Sequence, residues 1–211
     1  MRQTEESCST STREKILETA LKLFSTRGYL GATTREIAKE AGIAEVTLFR
    51  HFPSKELLFE AMLTTHSFLP ELKVLLPEMK ELSYEQALRT IASRFLDALS
   101  ERRDIIKVMQ AEMQRYPEKI LAIYHTFIDE VFREMASYFR GMQKMGVLRQ
   151  FDPDFGARAF MGMFFAYFNA EEILLRKKYR HVDKDATIRE YVDIFIAGTI
   201  NKQAGAGGGL S

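Results

Sequence analysis

The side chains of this sequence that could carry out catalysis or bind a metal do not fall into catalytic patterns. The four histidines are scattered and form no metal-spaced pair; they are His51, His66, His125 and His181. Glu171 and Glu172 are adjacent, so they point to different sides of a helix, unlike two carboxylates that work together. The single cysteine, Cys8, excludes an internal disulfide and a cysteine-based metal site. We therefore expect no enzyme activity, no metal and no cofactor.

A different chemistry is indicated between residues 12 and 55, where cationic and hydroxyl side chains accumulate. This stretch contains eight Lys or Arg and five Glu, which gives a net charge of +3, whereas the net charge of the whole chain is only +1. The Thr34 hydroxyl and the amides of a helix N-terminus can converge on one phosphate, and Thr33 and Arg35 can add to that contact. The pattern favours binding to a nucleic-acid backbone.

Several helices must position these groups. Apolar residues recur at spacings of three and four almost everywhere, which predicts an all-α fold of about nine helices. The first helix should follow Ser11 or Thr12 and end at Gly28. Two short helices, about 34–40 and 45–51, should then be joined by 41–43, where Gly42 can adopt the left-handed backbone of a tight turn.

Capping signals place the later helices. Ser54 should cap a long fourth helix, by accepting from the amide of Glu56 or Leu57, and this helix should run towards Pro70 or Pro77. Asp152 should cap another, with Pro153 at its first position. The remaining helices are expected at about 83–101, 104–115, 118–145, 153–178 and 185–201.

Two short helices joined by a glycine turn, within a packed three-helix unit, suit a helix-turn-helix whose second helix enters the major groove of DNA. The stretch TTREIAKEAGIAEVTLFRHFPSKELL, residues 33–58, closely resembles the signature of the TetR family of transcriptional regulators. The likeness extends upstream through residues 28–33. It implies a helical ligand-binding and dimerisation domain behind the DNA-binding domain.

The resemblance also implies roles for individual residues. Lys55 is similar to the family's phosphate-contacting lysine, and Thr47 and His51 occupy positions that reach the DNA backbone in relatives. Phe49 stands where the family usually has tyrosine, so packing against sugar replaces one phosphate hydrogen bond.

Base contacts are expected from the outward face of the second short helix, while Leu48 and Phe52 face the core. The candidates can contact a thymine methyl, a cytosine amino group or a guanine edge; they are Ala44, Glu45, Val46 and Arg50. A glutamate repels phosphates, and Glu45 has the alternative of pairing with Arg50 or Lys39.

The predicted organisation is a disordered tail at 1–11, a helix-turn-helix domain at 12–58, a ligand-binding and dimerisation domain at 59–202 and a flexible tail at 203–211. Residues 155–175 are apolar around much of the helix, as burial on two sides requires. With the last helix they resemble the TetR pair that forms a four-helix dimer interface. The candidate interface residues are Phe155, Ala159, Gly162, Ala166, Tyr191, Ile194 and Phe195.

Ten Met and sixteen Phe are compatible with a deformable pocket or with an ordinary core. The candidates for binding a small, largely apolar effector come from the central helices, where the family holds its ligands. They are Met62, His66, Phe95, Met109, Met113, Tyr116, Phe127, Val131, Met163, Phe164 and Tyr167.

These observations predict a cytoplasmic, ligand-responsive repressor that binds near-palindromic double-stranded operator DNA as a homodimer. No run of about twenty apolar residues indicates a membrane segment. The alternative is a helical small-molecule-binding protein, or an enzyme, without DNA-binding activity.

Overall fold

The first helix forms because apolar residues follow its inner face. In the computed structural model, which describes residues 2–180 and 182–202 and side chains from residue 12 onward, α1 spans Arg2–Gly31. The apolar residues on that face are buried: Ile16, Leu17, Ala20, Leu23 and Phe24. The helix begins at Arg2 instead of after Ser11 or Thr12. Its regular backbone breaks at Gly28 (φ 73°, ψ 170°), the residue at which the sequence predicts its end.

The next three helices have the predicted order and caps. α2 spans Thr34–Glu40, α3 spans Glu45–His51 and α4 spans Lys55–Thr65. Gly42 has φ 69° in the turn between α2 and α3. The Leu57 amide donates to the Ser54 hydroxyl at 3.2 Å, so the predicted cap is confirmed.

The fourth helix is shorter than predicted: of the two predicted ends, Pro77 is wrong, because the chain is not helical at residues 66–68. α4 ends before His66, and a separate α5 spans Leu69–Glu78. Pro70 explains the break, since it lacks the amide hydrogen that would donate to the His66 carbonyl in a continuous helix. Arg102 Nε donates to that carbonyl instead.

The remaining helices lie close to their predicted positions. α6 spans Tyr84–Glu101, α7 spans Arg103–Glu112, α8 spans Glu118–Lys144, α9 spans Pro153–Phe168 and α10 spans Lys184–Thr199. Asp152 caps α9 by accepting from the Asp154 amide at 2.9 Å, as predicted. The helix expected at 153–178 is shorter: a π-helical turn follows at Asn169–Ile173, and the chain then turns at Leu175, whose φ of 55° is left-handed.

The chain divides into two compact units that are not contiguous in sequence. One unit combines the chain up to Ser67 with Arg102–Phe127, and the other combines Phe68–Glu101 with the chain from Ile128 onward. The first unit therefore contains α7 and the start of α8 together with α1–α4. The predicted domains, in contrast, are two continuous segments of the chain that meet at residue 58. Ile105, Met109 and Ile120 join the buried core of α1–α4.

The second unit has an aromatic core of its own. Phe160 lies at the centre, with ring centroids 5.2 Å from Phe164, 5.2 Å from Phe195 and 6.3 Å from Phe139. The described residues contain helices and no β-strand beyond one isolated bridge between Leu148 and Ile200, so the predicted all-α class is confirmed. His181, the Cys8 side chain and the predicted flexible tail at 203–211 lie outside the described residues.

Candidate nucleic-acid interface

The α2–turn–α3 segment is held by local hydrogen bonds. Thr33 caps α2 by accepting from the Glu36 amide at 3.2 Å, while the Glu36 carboxylate accepts from the Thr33 amide at 3.0 Å. At the other end of α2, the Gly42 amide donates to the Lys39 carbonyl at 3.1 Å and the Ile43 amide to the Ala38 carbonyl at 3.0 Å. These two bonds form a Schellman motif, in which Gly42 supplies the left-handed residue. The turn therefore fixes the direction of α3 relative to α2.

α3 has a buried face and an exposed face. Leu48 and Phe52 are buried, as their spacing predicts. The outward face is exposed and includes two large apolar side chains, Val46 at 76% exposure and Phe49. Ala44 and Arg50 share this exposure. Exposed apolar groups next to a cation are suited to the edges and methyl groups of bases.

Glu45 has a partner that the sequence interpretation did not consider. The Thr34 hydroxyl donates to the Glu45 carboxylate at 2.9 Å, across the turn from α2 to α3. The alternatives weighed for Glu45 were a base, Arg50 or Lys39. In this structure the two candidate DNA contacts, Thr34 and Glu45, are therefore hydrogen-bonded to each other.

Lys55 lies at the start of α4 and contacts Tyr29. Its ammonium donates to the Tyr29 carbonyl and sits 4.2 Å from the centroid of the Tyr29 ring. Burial lowers the pKa of Lys55, against the opposing charges of Glu56, Glu112 and Glu36. The ammonium is thus half-buried instead of freely extended.

The cations around α2 and α3 differ in how they are held. Lys22 pairs with Glu40 at 2.5 Å, and Arg27 pairs with Glu36 at 2.5 Å. Three further cations form no ion pair or hydrogen bond to any described residue: Arg35, Lys39 and Arg50. Both Thr47 and His51 are half-buried on α3. The unpaired cations are available for phosphate or base contacts without breaking an existing pair.

Sequence reasoning predicted Gly28 only as the end of the first helix, and it assigned no role to Tyr29. The Glu112 carboxylate occupies the place where a side chain at residue 28 would begin. Tyr29 then packs edge-on against Phe59 and Tyr116, with centroids 5.0 and 6.0 Å away, and presents its carbonyl to Lys55. Burial and the nearby Glu56 raise the pKa of Tyr29 to about 12, so its ring stays neutral. The sequence signal that could have indicated this role is the adjacent pair of Gly28 and Tyr29 just before α2.

The predicted dimer residues lie in the second unit, where most of them form an exposed stripe. Phe155 at 72% exposure, Ala159, Gly162 and Ala166 follow one side of α9 at helical spacing. Ile194 on α10 is also exposed, at 64%. The rings of two other candidate interface residues contact the core of the second unit. Phe195 is only 8% exposed and contacts Phe160, and Tyr191 packs against Phe164 at 5.7 Å.

The predicted effector residues are divided between the two units. The first unit contains Met62, His66, Met109, Met113, Tyr116 and Phe127, and the second contains Phe95, Val131, Met163, Phe164 and Tyr167. Within the first unit, Met62, Met109 and Tyr116 share one buried core. Within the second, Phe95 packs against Phe68 at 5.3 Å and the Tyr167 hydroxyl donates to the Val182 carbonyl at 3.2 Å.

Comparisons with known proteins agree with this architecture. Residues 16–62 match the model of bacterial regulatory proteins of the tetR family, and residues 86–198 match the C-terminal domain of AefR-like transcriptional repressors. The uncharacterized HTH-type transcriptional regulator YvkB of Bacillus subtilis strain 168 is 31% identical over 157 residues, covering 74% of this chain and 81% of the relative. The chain therefore belongs to the TetR family, a class of helix-turn-helix transcriptional regulators that bind DNA.

Two solved structures share the fold. A TetR-family transcriptional regulator from Mesorhizobium loti MAFF303099 superposes with a TM-score of 0.75 at 24% identity, over 91% of this chain and 98% of that one. The flavonoid-responsive regulator FrrA superposes with a TM-score of 0.68 at 22% identity, over 92% and 99%. None of the helices described for this chain is long and apolar enough to cross a membrane. The described side chains also include no group of three metal-binding residues.

Proposed function

We propose that this chain is a ligand-responsive repressor that binds near-palindromic operator DNA as a homodimer and is released by a small, largely apolar effector. The observation that carries the proposal is the outward face of α3. Val46 and Phe49 are exposed there beside the unpaired cation Arg50. Exposed apolar side chains are costly on a surface that only meets water, and they favour a binding face.

DNA contacts fall into two groups in this proposal. Thr33, Thr34, Arg35, Thr47, Phe49, His51 and Lys55 meet the sugar-phosphate backbone, and Ala44, Glu45, Val46 and Arg50 meet base edges. Thr34 and Glu45 must separate for both to contact DNA, because their hydrogen bond uses the Thr34 proton. Exchange of that bond for a phosphate and a cytosine amino group would couple backbone contact to base reading.

The exposed stripe on α9, together with Ile194, supports dimerisation. One recognition helix reads only a few base pairs, so a two-fold symmetric dimer and a near-palindromic site reinforce each other. Phe155 and Ile194 are large apolar groups that a partner subunit would cover. Gly162 and the alanines allow close approach of helices.

Effector release requires that the ligand bind the DNA-incompetent state more tightly. α4 supports such a link, since it carries Lys55 at one end and Met62 near the other. A coupling of about 1–3 kcal/mol would lower operator affinity roughly 5- to 150-fold. The test is a thermal-shift screen of apolar and cationic compounds, followed by gel shifts with each hit. Met113→Trp should prevent ligand binding and leave operator binding intact; tight binders that leave operator affinity unchanged would contradict this part.

The proposal as a whole is tested by a gel shift on DNA from upstream of the chain's own gene, at stated salt. Wild-type protein should retard this DNA more strongly than a shuffled duplex. A double variant, Val46→Ala with Arg50→Ala, should prefer the upstream duplex less than wild type does and still bind the shuffled duplex, because two base contacts are lost and the backbone contacts remain. A folded protein that retards neither duplex would instead be a helical ligand-binding protein or an enzyme.

A further inference from the structure

The carboxylate of Glu112, the last residue of α7, lies against the backbone break in α1 within the first unit. Its oxygens occupy the place where a side chain at Gly28 would begin, so a larger residue there would prevent this approach. One of the two oxygens, Oε2, is buried without a hydrogen-bond partner among the described residues. A buried carboxylate oxygen in this state is unfavourable unless a positive charge compensates for it.

The ammonium group of Lys55 supplies a positive charge next to this carboxylate. Lys55 contacts the carbonyl of Tyr29, and Glu112 contacts Gly28, the preceding residue in the chain. Burial lowers the pKa of Lys55, and the charge of Glu112 is one of three that oppose this shift. Among the described residues no direct ion pair joins the two groups, so their attraction acts over a longer distance. The lysine at the start of α4 is thus linked to the end of α7.

The other two carboxylates that act on this lysine already have hydrogen-bond donors. Glu56 accepts from the Tyr29 hydroxyl at 3.4 Å. Glu36 accepts from the amide of Thr33 at 3.0 Å and from its hydroxyl at 2.9 Å. The α7 carboxylate lacks such a donor at its buried oxygen, so its charge depends more strongly on the lysine.

Tyr116 lies beside the same carboxylate but brings no charge to it. Its ring packs edge-on against Tyr29, with the centroids 6.0 Å apart. Burial, and then the charge of Glu112, raise the pKa of Tyr116, so its phenol keeps its proton. The compensating charge therefore comes from the ammonium of Lys55.

We propose that Glu112 is a positioning residue that acts on DNA binding through Lys55: its carboxylate attracts the ammonium and competes with a DNA phosphate for it. This inference rests on the phosphate contact proposed for Lys55. An ammonium has three N–H donors, so the lysine can keep its bond to the Tyr29 carbonyl and still donate to a phosphate. The charge of Glu112 opposes that step, because a phosphate shares the ammonium and leaves the buried carboxylate less compensated.

Glu112→Gln tests the proposal, since it removes the charge and keeps the shape of the side chain. The variant should bind the upstream and the shuffled duplex roughly two- to five-fold more tightly per subunit, because a phosphate contact carries no sequence information. The gain should shrink as salt rises, since salt screens charges. Glu118→Gln removes the same charge from an exposed position at the start of α8 and should bind like wild type. Fluorescence anisotropy across a salt series measures all of these affinities.

A double-mutant cycle shows whether the effect passes through the lysine. In the Lys55→Ala background, Glu112→Gln should no longer change DNA affinity. A second cycle uses urea unfolding and needs no DNA. Lys55→Ala should destabilise wild type more than it destabilises the Glu112→Gln variant, because only wild type then retains a buried carboxylate without its compensating charge.

The proposal is overturned if Glu112→Gln leaves DNA affinity unchanged or lowers it, if Glu118→Gln gives the same gain, or if the gain persists in the Lys55→Ala background. Glu112→Ala also removes the charge and should show the same gain, so it replaces Glu112→Gln if that variant folds poorly. A wild type that binds neither duplex would overturn the proposed function and this inference together. A wild type that binds DNA with an affinity independent of Glu112 would overturn this inference alone.

Discussion

The ammonium group of Lys55 donates a hydrogen bond to the backbone carbonyl of Tyr29 and lies 4.2 Å from the centre of its ring. This contact joins the start of α4 to the chain just after the break in α1. A lysine proposed to bind phosphate is therefore also oriented by the protein itself. Pre-positioning reduces the side-chain entropy lost when DNA binds.

Lys55→Ala should weaken binding to operator and random DNA alike, because a phosphate contact carries no sequence information. The salt dependence should become shallower by about one ion per subunit, measured by fluorescence anisotropy across a salt series. Lys107→Ala, an exposed lysine on α7, is the control and should leave both quantities unchanged. Lost discrimination at one base position alone would contradict a backbone role for Lys55.

Replacement by alanine should change the free energy of unfolding differently at three glycines. Gly28→Ala should cost about 2–5 kcal/mol of unfolding free energy, since its backbone region is almost exclusive to glycine and Glu112 fills the side-chain position. Gly42→Ala should cost about 1–2 kcal/mol, because only its left-handed backbone opposes a side chain. Gly141→Ala should gain about 0.5–1 kcal/mol within α8. Urea unfolding measures all three, and equal effects would refute the role given to Gly28.

The sequence predicted those features whose signals are local. The caps at Ser54 and Asp152 and the turn at Gly42 involve residues within a few positions of each other, so short patterns suffice. The end of α4 was left open between Pro70 and Pro77, because the apolar spacing continues past Pro70. The partner of the freed His66 carbonyl, Arg102, lies 36 residues away, and no sequence pattern connects the two.

In the candidate DNA-binding site, too, local features were predicted from the sequence and contacts between helices were not. Burial of Leu48 follows from its spacing on α3, whereas the Thr34–Glu45 bond depends on how the turn brings two helix starts together. Phe195 was assigned to the dimer surface because the last two helices resemble the TetR dimer pair. A family resemblance gives no indication of which side chains of the last helix contact the core of their own subunit, and the Phe195 ring packs 5.2 Å from the Phe160 ring.

Dimerisation should be disrupted by charge on the exposed stripe. Ile194→Glu combined with Ala159→Glu should convert a particle of twice 24.3 kDa into one of 24.3 kDa, since carboxylates would be buried at the interface. Val74→Glu alters another exposed apolar residue, on α5, and should remain dimeric. Light scattering with size exclusion measures the mass. A monomeric wild type would contradict the proposed interface.

His66 should make stability fall in mild acid. Its pKa is lowered by burial and by the charge of Arg102, while Glu18 opposes the shift. The unfolded chain therefore takes up a proton at higher pH than the folded chain, so the contribution is intact above about pH 6.5 and is lost as the pH falls below it. His66→Gln should show a smaller loss of unfolding free energy than wild type between about pH 7.5 and 5. Parallel pH profiles for the two proteins would contradict this assignment.

The most direct test of the account is selection of binding sites from a random duplex pool, followed by anisotropy with the selected site. Wild-type protein should enrich two inverted copies of one short half-site. Arg50→Ala should lose about 1–3 kcal/mol on that site, with discrimination relaxed at one position in each half and random-DNA binding retained. Enrichment of no sequence, or a preference unchanged by Arg50→Ala and by Val46→Ala, would show that α3 does not read DNA.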